Sequence, residues 1–264
     1  MDITLLLDPL FRLPLITGLL LAGILPVLGA LLMLRDEWLA ALGLAHLAAA
    51  GAMAGLAAGL PAVAGGMLAA ITAGGGKTLI GARGNAVYVF MMLLGWCTTL
   101  LIGANSGLGD AVGHALMEGQ LYFATTTDLI AASLLCVVAA ISLPWLMPRL
   151  LRARILPHHE TANRLLAWRW HLGFDLLAAA SMAVGTANIG LMAAFTLVFI
   201  PAWIAFRVAP SWRWTLLLCA LIGIGGYLSA FALALTLDQP FGPVLVVVLL
   251  AVAAFSLGRS SNID

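Results

Sequence analysis

Eleven of the chain's twelve Lys and Arg residues fall in every second gap between long apolar stretches. Arg35 follows the first stretch, Lys77 and Arg83 the third, and Arg149, Arg152, Arg154, Arg164 and Arg169 the fifth. Arg207 and Arg213 follow the seventh and Arg259 the last, and Arg12 alone lies outside the set. Basic residues beside a span stay on the cytoplasmic side during insertion. The alternation therefore restricts the chain to an all-α, polytopic membrane bundle. It predicts cytoplasmic odd gaps, a cytoplasmic C-terminus, an external N-terminus and about nine crossings.

Composition agrees. With 63% hydrophobic and 9% charged residues and a mean hydropathy of +1.11, the chain lacks the polar surface that a soluble domain of 264 residues needs. Spans are expected near 12–34, 38–60, 61–74, 86–105, 128–147, 172–187, 189–206, 212–235 and 241–258. Most reach the length of about 20 apolar residues that a crossing requires. The third and sixth are short, which leaves eight or nine helices. No basic n-region and no cleavage site precede the first span, so it reads as a retained helix. Cys97, Cys136 and Cys219 all fall inside spans, where an odd number of thiols fits apolar packing better than a disulfide framework.

No linker or low-complexity segment divides residues 1–264, which read as a single transmembrane domain. Gly74-Gly75-Gly76-Lys77-Thr78 ends like a phosphate loop, but the required glycine position is Ile71. Gly51, Gly55 and Gly59 line one face of the second span and permit close helix approach. The longest basic segment, Pro148 to about Trp170, combines five arginines with His158, His159 and Glu160. It is long enough for a short helix outside the membrane and reads either as a docking element or as a solvated anchor loop.

An ionisable group at bilayer depth costs about 2.5–3.5 kcal/mol for Asp by insertion scales, so each one calls for a partner or a function. His46, in the second span, reads equally as a ligand for a passing cation, since neutral imidazole binds transition metals, or as a histidine bonded to a neighbouring helix. His171 and Asp175 are spaced i, i+4 and share one face of the sixth span, where they could pair or hold a departing metal. Asn188 and Gly190 mark the external turn that follows. Asp110 and Glu118 lie in an external segment, solvated or turned toward a cation or a partner.

Several short motifs occur in a fixed order: Leu44-Ala45-His46, a segment opened by Pro157, Asn188-Ile189-Gly190 with Ile200-Pro201-Ala202, and Asp238-Gln239-Pro240-Phe241-Gly242-Pro243. In this order the chain resembles, along nearly its whole length, the membrane permease of the zinc and manganese uptake class of bacterial ABC importers. The resemblance implies a permease homodimer in the bacterial cytoplasmic (inner) membrane, with no covalently bound cofactor and no enzymatic activity of its own. Two cytoplasmic ABC ATPase subunits would bind ATP and dock on a coupling segment at 155–166, through Pro157, His158, His159, Glu160, Asn163 and Arg164. A periplasmic or extracellular solute-binding protein would meet Asp110 and Glu118. His46, His171 and Asp175 would lie on the substrate pathway, with His46 touching the metal.

The chain also departs from the family pattern. Leu42 stands where the family has an Asp one turn before the His, Asn85 and Gln120 stand near positions of acids, and Arg164 replaces a glycine. Loss of hard carboxylate ligands disfavours bare manganese. Zinc is the expected cargo, with a metal chelate or another small cargo as the alternative.

Two other classes fare worse. An intramembrane enzyme lacks H-E-x-x-H and G-x-S-x-G, and an ion-coupled secondary transporter would have only Asp175 as a membrane carboxylate. The chain contacts lipid throughout, and no nucleic-acid partner is expected. The topology is checked with fusions: green fluorescent protein joined after Asp264 should fluoresce, and alkaline phosphatase inserted after Gly107 should be active. The reverse pattern would invert the proposed orientation.

Overall fold

The computed structural model describes residues 9–82, 84–107, 119, 121–156 and 158–260. Among the described residues there are nine long helices. They are α1 (Pro9–Leu34), α2 (Ala40–Ala57), α3 (Ala62–Leu79), α4 (Asn85–Asn105) and α5 (Thr126–Ile155), then, after the one-turn α6 (His159–Ala162), α7 (Trp168–Ile189), α8 (Leu191–Val208), α9 (Trp212–Leu237) and α10 (Phe241–Ser260). Seven of them are long and apolar enough to cross a membrane by length and composition. The other two are α3, rich in glycine, and α10, whose described apolar stretch Phe241–Leu257 is slightly shorter.

The third and sixth segments both form helices longer than the apolar count suggests. α3 continues past Gly74–Gly76 to Leu79. Glycine weakens an isolated helix, but here its missing side chain is used: a Cβ on Gly74 would sit 3.1 Å from the Asp175 carbonyl oxygen and 3.3 Å from Ala179 Cβ. α7 likewise begins at Trp168, four residues ahead of the apolar run.

α2 and α7 lie at the centre. α2 packs on α3, α4, α7 and α8; α1 packs on α5, α8 and α9; and α8, α9 and α10 pack on one another. Between helices in lipid there is no hydrophobic gain, so close van der Waals contact has to hold them. The α2–α3 pair shows this most plainly. A Cβ on Gly65 would fall on the Gly51 carbonyl oxygen and 2.9 Å from Gly55 Cα. α1 meets α9 in the same manner: Pro26 leaves the Ala22 carbonyl without its helical donor, and Gly223 admits both that oxygen and the proline ring.

At about 1.5 Å per residue the 30 residues of α5 extend about 45 Å, beyond a hydrocarbon core of roughly 30 Å. Its first turn is closed by a capping box between Thr125 and Asp128. Its last turns carry Arg149, Arg152 and Arg154. At the opposite end of the molecule Tyr227 donates to the Pro14 carbonyl at 3.0 Å and stands among Phe231 and Phe241. Burial, with Asp238 adding to it, pushes the nearby Tyr122 phenol up to about 12. There too Gly190 turns α7 into α8 at φ 88°, a conformation that L side chains rarely adopt.

Substituting Gly65→Val should lower the midpoint of thermal unfolding in detergent, with a cost of about 1–3 kcal/mol or more for overpacking. Gly76→Ala should leave the midpoint unchanged or raise it, because a Cβ at Gly76 meets nothing within 4 Å and alanine is the better helix former.

Candidate functional site

The end of the bundle that carries the basic gaps holds a buried network of charge. α1 ends at Leu34 and the chain reverses through Asp36, a non-glycine residue at φ 57°, which Asp tolerates better than most residues. The tight turn returns Glu37 toward the interior, with its N–H donating to the Leu32 carbonyl at 3.0 Å. Asn85, the first residue of α4, fixes the turn from outside. Its amide nitrogen donates to the Asp36 carbonyl at 3.0 Å, and its amide oxygen accepts from the Leu39 N–H at 3.1 Å. A carboxylate could accept but not donate here, which accounts for the amide at this position.

Four charged side chains then close a ring. Arg35 reaches Asp175 Oδ1 at 2.7 Å and Glu37 Oε2 at 2.8 Å. Lys77 Nζ reaches Glu37 Oε1 at 2.8 Å and Asp175 Oδ2 at 3.3 Å. Each charge has two neighbours of opposite sign, and the sum is zero. Hydroxyls complete the carboxylates: Thr78 donates to Asp175 Oδ2, and Tyr88 donates to Glu37 Oε2 at 3.3 Å. The Arg35 guanidinium lies 5.0 Å from the Phe174 ring centre, and Lys77 Nζ lies 5.0 Å from that of Tyr88.

Burial decides how much this arrangement matters. Lys77 and Asp175 are 3% exposed and Glu37 is 5% exposed. Removing one member of such a pair typically costs about 3–5 kcal/mol, because the remaining charge is left without compensation. The exposed pair between Arg154 and Asp36, at 2.5 Å, belongs to the class worth about 0–1 kcal/mol. The ring is therefore the strong fastening at this end, and Arg154–Asp36 a weak one.

Below the ring opens a cavity of about 430 Å³, with Arg35, Lys77 and Asp175 on one side and Arg154, Glu160 and His171 on the other. Of the 155–166 segment, Glu160 lines it. Within that segment, Glu160 of α6 accepts from Trp170 Nε1 at 2.9 Å and meets His171 Nε2 at 3.4 Å. Asn163 Nδ2 donates to the His159 carbonyl at 2.8 Å and approaches His159 Nδ1 at 3.2 Å. Arg164 stands at φ 49° where the chain leaves α6. His158 precedes α6 in a turn.

His171 and Asp175 share a helix face as expected but do not pair with each other. His171 turns to Glu160 and Asp175 to Arg35, Lys77 and Thr78. His46 is buried in α2. Its Nδ1 lies 2.8 Å from the Leu42 carbonyl oxygen of its own helix, and its ring stacks on Trp96 at 6.2 Å. With Nδ1–H donating, Nε2 carries the lone pair that a metal would use. Among the described residues no three His, Cys, Asp or Glu side chains come together as a metal-binding group. Pro157, Asp110, Glu118 and Gln120 lie outside the described residues.

Sequence reasoning treated Arg35 and Lys77 as orienting loop charges and passed over Glu37. The signal that could have found them was Asp175, a carboxylate within a span that had to have a cation nearby.

A family model described as the ABC 3 transport family matches residues 8–259. No curated protein matches the sequence. The fold is similar to PsaBC from Streptococcus pneumoniae, solved in complex with Fab, at TM-score 0.84 and 14% identity, covering 96% of this chain and 93% of that one. It is also similar to an inward-facing conformation of a transporter described as of the metal-chelate ABC type, at TM-score 0.72 and 14% identity, covering 93% of this chain and 85% of that one.

Asp175→Asn is expected to lower stability by about 3–5 kcal/mol, since it leaves Arg35 and Lys77 with one carboxylate between them. The measurement is the unfolding midpoint of purified protein in detergent. Thr78→Val, which removes only a hydroxyl donor, should cost about 1–2 kcal/mol.

Proposed function

We propose, from the premise that this chain belongs to the ABC 3 transport family, that it is the membrane permease of an ATP-driven importer of a transition metal, zinc above all. Two copies enclose the pathway. Two cytoplasmic ATPase subunits dock on the 155–166 segments, and a solute-binding protein delivers cargo at the external face that includes Asp110 and Glu118. The basic end of the bundle is cytoplasmic and the N-terminus external, as the distribution of Lys and Arg supports. The chain translocates and performs no hydrolysis itself.

The observation that carries this reading is α6. A single helical turn stands outside the bundle at its basic end and is held on α7 by both oxygens of Glu160. A short helix braced in this way gives a soluble subunit something to push against, and the brace passes the push to a long helix. His46 supports a metal cargo through its Nε2 lone pair. A second reading, a chelated metal, is favoured by one feature: Leu42 occupies the neighbouring ligand position with an apolar side chain, so His46 lacks the carboxylate that would help strip an ion of its water. The similarity to a metal-chelate type transporter supports the same reading.

The test uses proteoliposomes with the permease, its ATPase and its binding protein. Loaded binding protein should stimulate hydrolysis only in the complete complex, and Glu160→Gln should lower transport per ATP. His46→Ala should reduce uptake of radioactive zinc about tenfold, at the lower end of effects on metal sites, with the dimer intact. Metal uptake by the permease alone, with no ATPase present, would overturn the reading.

A further inference from the structure

We infer that the ring of Arg35, Glu37, Lys77 and Asp175 is the joint that carries movement of the 155–166 segment to the helix bearing His46, which makes these four side chains positioning residues of the transport cycle. The inference rests on the permease reading and adds to it the route by which the push is transmitted.

The route is continuous in the structure. Glu160 grips Trp170 and His171 in the first turn of α7. One turn further along the same helix, Asp175 holds Lys77 of α3 and Arg35 at the end of α1. Arg35 and Lys77 both hold Glu37, which stands three residues ahead of α2 and is tied to it by the Ala40 N–H donating to the Glu37 carbonyl at 3.0 Å. Gly74 of α3 lies against the backbone of α7 beside the ring, so those two helices are also pressed together. Displacement of the start of α7 thus reaches α3 and the start of α2 through side chains that are each held by two partners of opposite charge.

The distribution of strength fixes where the bending occurs. The ring is buried and every charge in it is doubly matched, whereas the pair between the end of α5 and the α1–α2 turn, Arg154–Asp36, is exposed. Between α5 and α7 the described chain forms only the single turn of α6, and it leaves that turn through Arg164 at positive φ. A cavity of about 430 Å³ is lined by the ring residues together with Arg154, Glu160 and Trp168, so Glu160 of the segment borders open space. The segment bends; the ring-bound elements travel together.

A balanced pair of substitutions separates this role from a merely structural one. Lys77→Met with Glu37→Gln removes one cation and one anion together and leaves Arg35 matched with Asp175. Replacing both partners of a buried pair is tolerated far better than removing one, so this double variant should fold, bind the ATPase and retain basal hydrolysis. Its stimulation by loaded binding protein should fall at least about fivefold, the scale of an ordinary coupling energy, while Lys77→Arg should keep it. Stimulation of the double variant equal to the unmodified complex would overturn the inference. If the double variant fails to assemble, Tyr88→Phe and Thr78→Val, each losing one hydroxyl and no charge, are read on the same scale: reduced stimulation supports the joint, and unchanged stimulation overturns it. Failure of the unmodified chain to bind any ATPase would be a separate result, one that removes the permease reading and the joint with it.

Discussion

A charge withdrawn from water must be met by another charge, and in the ring at the basic end that requirement is satisfied for four helices together. Arg35, Glu37, Lys77 and Asp175 come from the end of α1, the turn into α2, the last turns of α3 and the first turns of α7. No single one of them would be tolerable alone at that depth. Because each has two partners, the ring ties these helices to one another at the basic end. Tyr88 extends the constraint to α4 through its hydroxyl.

Away from the ring, steric contact of backbones takes over. Gly51, Gly55 and Gly65 let α2 and α3 approach until carbonyl oxygens touch the opposite chain, and Gly95 does the same for α4 against the His46 backbone. The two devices are complementary. Glycine contacts are short-ranged and unforgiving of added volume, while the ring tolerates small shifts as long as its signs alternate. His46 sits where they meet, on a helix held by the ring near its start and by glycines along its length.

Much of this was legible in the sequence. The alternating placement of Lys and Arg gave the helical membrane class, and short motifs in a fixed order gave the family, which the match over residues 8–259 shows. What escaped was long-range pairing. Lys77 follows three glycines and looks like the end of a span, yet it belongs to the helix because Glu37, 40 residues away, and Asp175, 98 away, compensate it. His171 and Asp175 looked like partners because local spacing was the only geometry available, and each found a stronger partner elsewhere. Asn85 looked like a lost acid, while the structure gives it both a donor's and an acceptor's task. Local periodicity reports which face a residue shares; it says nothing of which distant segment arrives opposite that face.

One contact at the far end of α7 joins this picture. The backbone of Gly119 lies so close to the Ile189 carbonyl that a side chain at position 119 would overlap it. The chain that follows the stretch bearing Asp110 and Glu118 is thereby seated on the last turn of the helix whose first turns hold Asp175. With 22 residues and a length of about 33 Å, α7 resists compression along its axis. Gly119 at one end and the partners of Asp175 at the other thus both rest on this one rigid helix.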